Sequence, residues 1–417
     1  MKLRTILRIN PGVWIVPILV ILAVLATTAT GIPVQMPEPY LLALTAAGGT
    51  SVFVVAPVCA ACAAWEGGRL RRAEWWTLPH TRSLPMIALA SVTPIIIVGL
   101  VAITAAIAVN FWQAGIVAIP DARIALKSVV LVAAHALLGF AIGTRVRPVI
   151  AVPSVLLVDY GWMVLPVALE PVWLRHLNGT WSSCCMLSTD LAPQAFAGAV
   201  IVAFGLTATA VLLLRPSLRR AQLPVTIMPM VLVLGVGALL VRGLDWAPVV
   251  ARDPSLLVCS SGQPQVCVWP EHRVRLEEVA ALASDAATRW REVGIAVPDT
   301  FSEASSGSLL EHRFGFSLES RQPDIISSLA YSMLPPFPEC AVNGEYLGGE
   351  ALEYVYAWYA DVAGLSRAGF ENRFGPEVLS TIEVVRALPV EQQRAWLDRN
   401  LAAIRVCDVE PYLEAGR

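Results

Sequence analysis

The chain has 417 residues, of which 56% are hydrophobic and only 15% charged, and its mean hydropathy is +0.64. A soluble domain carries about 25% charged residues, so these figures exclude a protein dissolved wholly in water. The net charge of −2 conceals a division, because residues 1–244 hold 16 of the 30 basic and 7 of the 32 acidic side chains (net +9), which leaves 245–417 at −11 with arginine as their only basic residue. An acidic half of that kind repels phosphates and excludes nucleic acid as its partner.

Seven stretches of the first half approach the roughly 20 apolar residues that a membrane-spanning helix needs. They run from Val13 to Thr30, Tyr40 to Ala64, Leu84 to Asn110, Ile124 to Gly143, Val149 to Leu169, Ala192 to Leu214 and Val225 to Val241. The fold class expected is therefore membrane all-α. About seven transmembrane helices (1–243), with six as the alternative, precede a mainly helical extracytoplasmic domain (244–417). The first run is either an anchor or, after Met1-Lys2-Leu3-Arg4, a signal peptide.

Orientation follows from the loop arginines and lysines, which favour the cytoplasm. An inner N-terminus places Lys2, Arg4, Arg8, Arg69, Arg71, Arg72, Arg82, Arg145, Arg147, Arg215, Arg219 and Arg220 inside, and leaves only Arg123, Lys127, Arg175 and Arg242 outside. Seven spans then put the second half outside the cell membrane. Its four cysteines suit an oxidising compartment, and sequence proximity favours Cys259–Cys267 around a β-like hairpin, with Cys340–Cys407 as the second bridge. Cys184 and Cys185, after the fifth run, either bond to each other or to the outer domain. Asn178-Gly179-Thr180 fits the N-glycosylation pattern.

In the outer half, Val266 to Trp269 reads as a strand and Val274 to Val293 as a helix by its 3.6-residue apolar period. Helices are also expected at 323–334, 349–365, and as a hairpin over 376–388 and 389–406. The serine-rich stretch FSEASSGS (301–308) reads as a flexible loop.

No P-loop, H-E-x-x-H or G-x-S-x-G motif occurs. No catalytic residue, metal site or cofactor is assigned, and any energy from ATP must come from another polypeptide. The pairs Glu271-His272 and Glu311-His312 offer a carboxylate beside an imidazole for acid–base chemistry. Adjacent helical residues diverge by about a third of a turn, however, so neither is a preformed chelate. Cys59 and Cys62 have metal-like spacing without a second pair. His135 and Asp159 are ionisable side chains inside apolar runs, a functional signal in a membrane. They lie ten residues before Arg145 and twelve after Arg147, so at about 1.5 Å per residue they reach similar depths and are expected to pair across two helices.

The charged stretch WEGGRLRRAEWWTLP (65–79) separates the second and third runs. Its helix-compatible core, Leu70 to Trp76, sets Arg72 and Trp76 four residues apart on one face. WEGGRLRR followed by WWTLPHTRS resembles the loop after the second span in ABC-2-type transporter permeases, most of all their actinobacterial forms. That resemblance implies a coupling helix on which a cytoplasmic ATPase docks, contacted by Glu66, Arg69, Arg71, Arg72, Trp75 and Trp76, and a path formed between two membrane subunits. The expected function is a permease-like subunit of an ATP-driven transporter, its partners being the lipid bilayer, the ATPase, a second membrane subunit and a substrate at the outer domain. The alternatives are a membrane-anchored extracytoplasmic hydrolase and a membrane sensor or assembly scaffold.

Overall fold

A computed structural model describes residues 11–28, 38–74, 83–181, 184–215, 223–304 and 313–414. The chain divides into two compact units, 1–250 and 251–417.

The first unit is a helical bundle, and among its described residues six helical stretches are long and apolar enough to cross a membrane. The first apolar run forms a shorter helix, α1 (Pro11–Thr28). The second, expected as one span over 40–64, is a single membrane-crossing stretch over Leu41–Arg72 built of two helices. These are α2 (Leu41–Gly49) and α3 (Val52–Arg72), which meet at Thr50-Ser51. At that junction the hydroxyls of Thr50 and Ser51 donate to the carbonyls of Ala47 and Gly48, at 2.6 and 2.7 Å. This local bonding competes with the helical ladder. Then come α4 (Leu84–Gln113), α5 (Ala122–Arg145) and α6 (Pro148–Val164). Strand β1 (Thr189–Leu191) is followed by α7 (Pro193–Leu213) and α8 (Leu223–Val241), and β1 pairs with β2 (Val249–Ala251).

Lipid tails are as apolar as leucine, so small residues that let backbones approach hold such helices together. α3 and α5 follow that rule. A Cβ built on Gly143 would stand 2.0 Å from the Ala64 carbonyl oxygen, one on Gly139 2.2 Å from that of Ala60, and one on Gly67 2.3 Å from that of Phe140. Ala60, Ala63 and Ala64 are buried along the same seam. The outward faces carry large apolar side chains, among them Val149, Leu157, Val158, Val231 and Leu232. Such a surface suits hydrocarbon rather than water.

The second unit packs helices on a small sheet. β3 (Val258–Cys259) runs antiparallel to β4 (Gln265–Val268), with Val258 opposite Val268 and Cys259 opposite Cys267. β4 runs parallel to β5 (Thr300–Ser302). Phe301 and Ser302 are thus strand residues, against the loop expectation, because Phe301 fills the core between Trp290 and Phe314. α9 (Leu276–Glu292) lays Val279, Ala283, Ala286 and Trp290 against that core. The remaining helices are α10 (Gln322–Tyr331), α11 (Cys340–Asn343), α12 (Gly349–Val362), α13 (Arg367–Glu371), α14 (Pro376–Ala387) and α15 (Val390–Ile404). Trp290, Trp358 and Trp396 are buried centrally, and the Trp290 indole N–H donates to the Tyr359 carbonyl at 3.0 Å. Each such ring contributes roughly 1.5–3 kcal/mol by leaving water.

Three disulfides are formed, Cys184–Cys185, Cys259–Cys267 and Cys340–Cys407, while Cys59 and Cys62 are free. Of the two open arrangements for Cys184 and Cys185, the structure has the mutual one.

Candidate functional site

The polar groups of the membrane unit gather in three places. The first is the His135–Asp159 pair. His135 sits on α5 and Asp159 on α6, and imidazole Nδ1 lies 2.5 Å from carboxylate Oδ1. The His135 ring is 1% exposed and the Asp159 side chain 14%. Among the described residues, His135 Nε2 and Asp159 Oδ2 are buried without a hydrogen-bond partner. Ten and twelve residues from the arginines at the helix ends correspond to about 15 and 18 Å. That is near the middle of a hydrocarbon layer about 30 Å thick.

The second place is the arginine-rich end of α3. Of the helix-compatible core expected over 70–76, residues 70–74 are described. The spanning helix continues through Arg72 and stops at Ala73 and Glu74, whose positive φ of 49° ends the ladder. Arg69, Arg71 and Arg72 therefore form the last turn of the span itself. Glu66 is 6% exposed and paired with Arg69 at 3.1 Å. Arg72 lies over the Trp65 ring at 5.3 Å. Trp75, Trp76 and Arg82 lie outside the described residues. The close approach of Gly68 to Pro148 sets this end beside Arg147 at the start of α6. Arg145 in turn donates to the carbonyls of Leu213 and Arg215, which ties the ends of α5 and α7 together. Arginines from several helices thus share one end of the bundle.

The third place lies at the opposite end and was missed in the sequence. Lys127 is 1% exposed, its ammonium donating to the Gly179 carbonyl at 2.8 Å and sitting 4.4 Å above the Trp181 ring. The segment 177–181 covers it, held by Asn178, whose side-chain amide donates to the carbonyls of Trp162 and Met163. Asn178 is fully buried, so its sequence pattern does not present an accessible glycosylation acceptor.

In the second unit, Glu271 and His272 part company. Glu271 forms a two-pronged bond with Arg252, both contacts at 3.0 Å. His272 turns inward to Glu303, Nδ1 to Oε1 at 2.8 Å, and Glu303 also accepts the Trp269 amide. This pair fastens the turn after β4 to the end of β5. Glu311 and His312 lie outside the described residues. Among the described residues, no three His, Cys, Asp or Glu side chains are placed to hold a metal ion. A pocket of about 150 Å³ opens between α12 and α14 over Phe370 and Ile382. Its charged rim is internally matched, Arg386 with Asp361 and Arg367 with Glu383.

Residues 266–407 match the family model described as a domain of unknown function (DUF7224). The match begins within β4 and closes on the Cys340–Cys407 bridge. No curated protein and no solved structure matches the chain.

Proposed function

We propose that this chain is the membrane-embedded, permease-like subunit of an ATP-driven transporter. In this reading a separate cytoplasmic ATPase docks at Arg69, Arg71 and Arg72. The first apolar helix serves as a seventh span, the N-terminus is cytoplasmic, and the 251–417 unit faces the outside and binds or gates substrate. Two such membrane subunits form the path.

The observation that carries the reading is the continuity of α3. Its arginine turn and its close-packed Ala60, Ala64 and Gly67 belong to one helix. Displacement applied at the arginines is transmitted to α5 without an intervening loop, because packed interiors shift as units rather than deforming continuously. The arginine cluster supports the orientation through the excess of positive charge on cytoplasmic loops.

The test is native purification of the full chain in lipid nanodiscs, with co-purifying ATP hydrolysis as the readout. Hydrolysis that accompanies the wild-type chain and disappears with Arg69→Glu/Arg72→Glu, while the nanodisc species stays monodisperse, is the expected result. Preparations that never carry an ATPase polypeptide overturn the proposal.

A further inference from the structure

An aspartate in the middle of a bilayer needs a positive partner, because an uncompensated charge there costs several kcal/mol. Among the described residues, no lysine or arginine pairs with Asp159, and its one ionic contact is His135. A carboxylate accepts hydrogen bonds and does not donate them. With Asp159 ionised and the ring carrying a single proton, the imidazole Nδ1–H is the donor in the 2.5 Å contact, and Nε2 is left with its lone pair. Two buried acceptors then remain without partners among the described residues, His135 Nε2 and Asp159 Oδ2. The pair keeps one negative charge. Two bare acceptors and a negative charge define the complementary ligand as small, monovalent, positive and rich in hydrogen-bond donors.

We propose that the His135–Asp159 pair is a binding site for a small hydrogen-bond-donating cation, either a proton carried as hydronium or a primary ammonium. The inference rests on the transporter reading and adds to it the class of species that the membrane unit takes up. The neighbouring elements supply no rival charge. α7 has no titratable side chain. On α3, Cys59 and Cys62 are uncharged thiols, and Glu66 already has Arg69. α6 is the second helix of the site. It carries Pro153 within its length and is largely turned outward, so it is the less firmly held of the two helices that form the site.

The test uses the full chain in nanodiscs and reads its thermal unfolding temperature, which rises when a ligand binds the folded state alone. The probes are methylammonium chloride, tetramethylammonium chloride as a cation of equal charge without N–H donors, and acidification across pH 8 to 5, the interval in which imidazoles change charge. The ammonium form of the site predicts a rise with methylammonium, none with tetramethylammonium, and no response to either in Asp159→Asn. The proton form predicts no response to either ammonium ion and a stabilisation on acidification that Asp159→Asn lacks. Identical responses of wild type and Asp159→Asn to every probe overturn the proposal. Should Asp159→Asn fail to accumulate, His135→Gln removes one acceptor while keeping the carboxylate. It is expected to need at least tenfold more cation for half the shift, and an unchanged dose response overturns the proposal equally. A chain that shows these shifts but never carries an ATPase keeps its cation site and loses the transporter reading.

Discussion

Removing the two disulfides of the 251–417 unit one at a time should separate them by loop length. In the chain-entropy description, a cross-link stabilises by restricting the unfolded chain in proportion to the logarithm of the loop it closes. Cys340–Cys407 spans 67 residues and Cys259–Cys267 spans 8. At 25 °C these separations correspond to about 4 and about 2.5 kcal/mol. Native contacts near the long bridge survive its removal. The Tyr346 hydroxyl still donates to the Ile404 carbonyl, and the Leu347 amide to that of Cys407. The folded state therefore changes little in Cys340→Ala/Cys407→Ala, and the cost falls on the unfolded side. With a urea slope of about 2 kcal/mol per M for a domain of this size, the long-loop variant should unfold about 2 M earlier than wild type and the Cys259→Ala/Cys267→Ala variant about 1 M earlier. Pulse proteolysis of the full chain in nanodiscs at graded urea reads those midpoints. Equal midpoints, or a larger loss from the short bridge, would refute the loop-entropy reasoning.

Three further outcomes follow from the packing. Gly143→Ala must force α5 from the Ala64 carbonyl and should cost about 1–3 kcal/mol or more, whereas Gly235→Ala, whose added Cβ meets nothing within 4 Å, should be neutral; thermal unfolding in detergent compares them. Burial raises the Tyr359 hydroxyl from 10.0 to about 12, so its contribution is complete below pH 10 and is lost as the pH climbs to about 12. Two such units are worth about 3 kcal/mol, and Tyr359→Phe should flatten alkaline unfolding over that window, which a stability titration of both chains checks. Expressed in a glycosylating host, the chain should show no mass increase at Asn178 by peptide mass spectrometry, since its amide is spent on the Trp162 and Met163 carbonyls.

Much of the architecture was legible because it follows from near-neighbour chemistry. Apolar runs as long as a bilayer is thick became helices, and the β-hairpin and helical hairpin of the 251–417 unit followed turn and periodicity signals. The approach of His135 to Asp159 was a matter of counting rise per residue from the two helix ends. What stayed hidden depends on contacts remote in sequence. Lys127 counts as an outer-loop charge until the segment 177–181 folds over it, and no local pattern announces that. The break at Thr50-Ser51 hides inside an unbroken apolar run, since hydroxyls that bond their own backbone leave the hydropathy almost unchanged. Glu271 and His272 diverge as expected of neighbours, but their partners, Arg252 and Glu303, are remote in sequence and no local pattern names them. The strand at Thr300–Ser302 is three residues long and owes its conformation to Phe301 and to β4.

The burial of Lys127 has a practical corollary. The chain contains two lysines, Lys2 and Lys127, and none beyond residue 127. With the second one buried against Trp181, amine-directed dyes, acylating cross-linkers and lysine-specific proteases find no side-chain target anywhere in the second half. Immobilisation through primary amines would tether the molecule through Lys2 and leave the 251–417 unit chemically untouched.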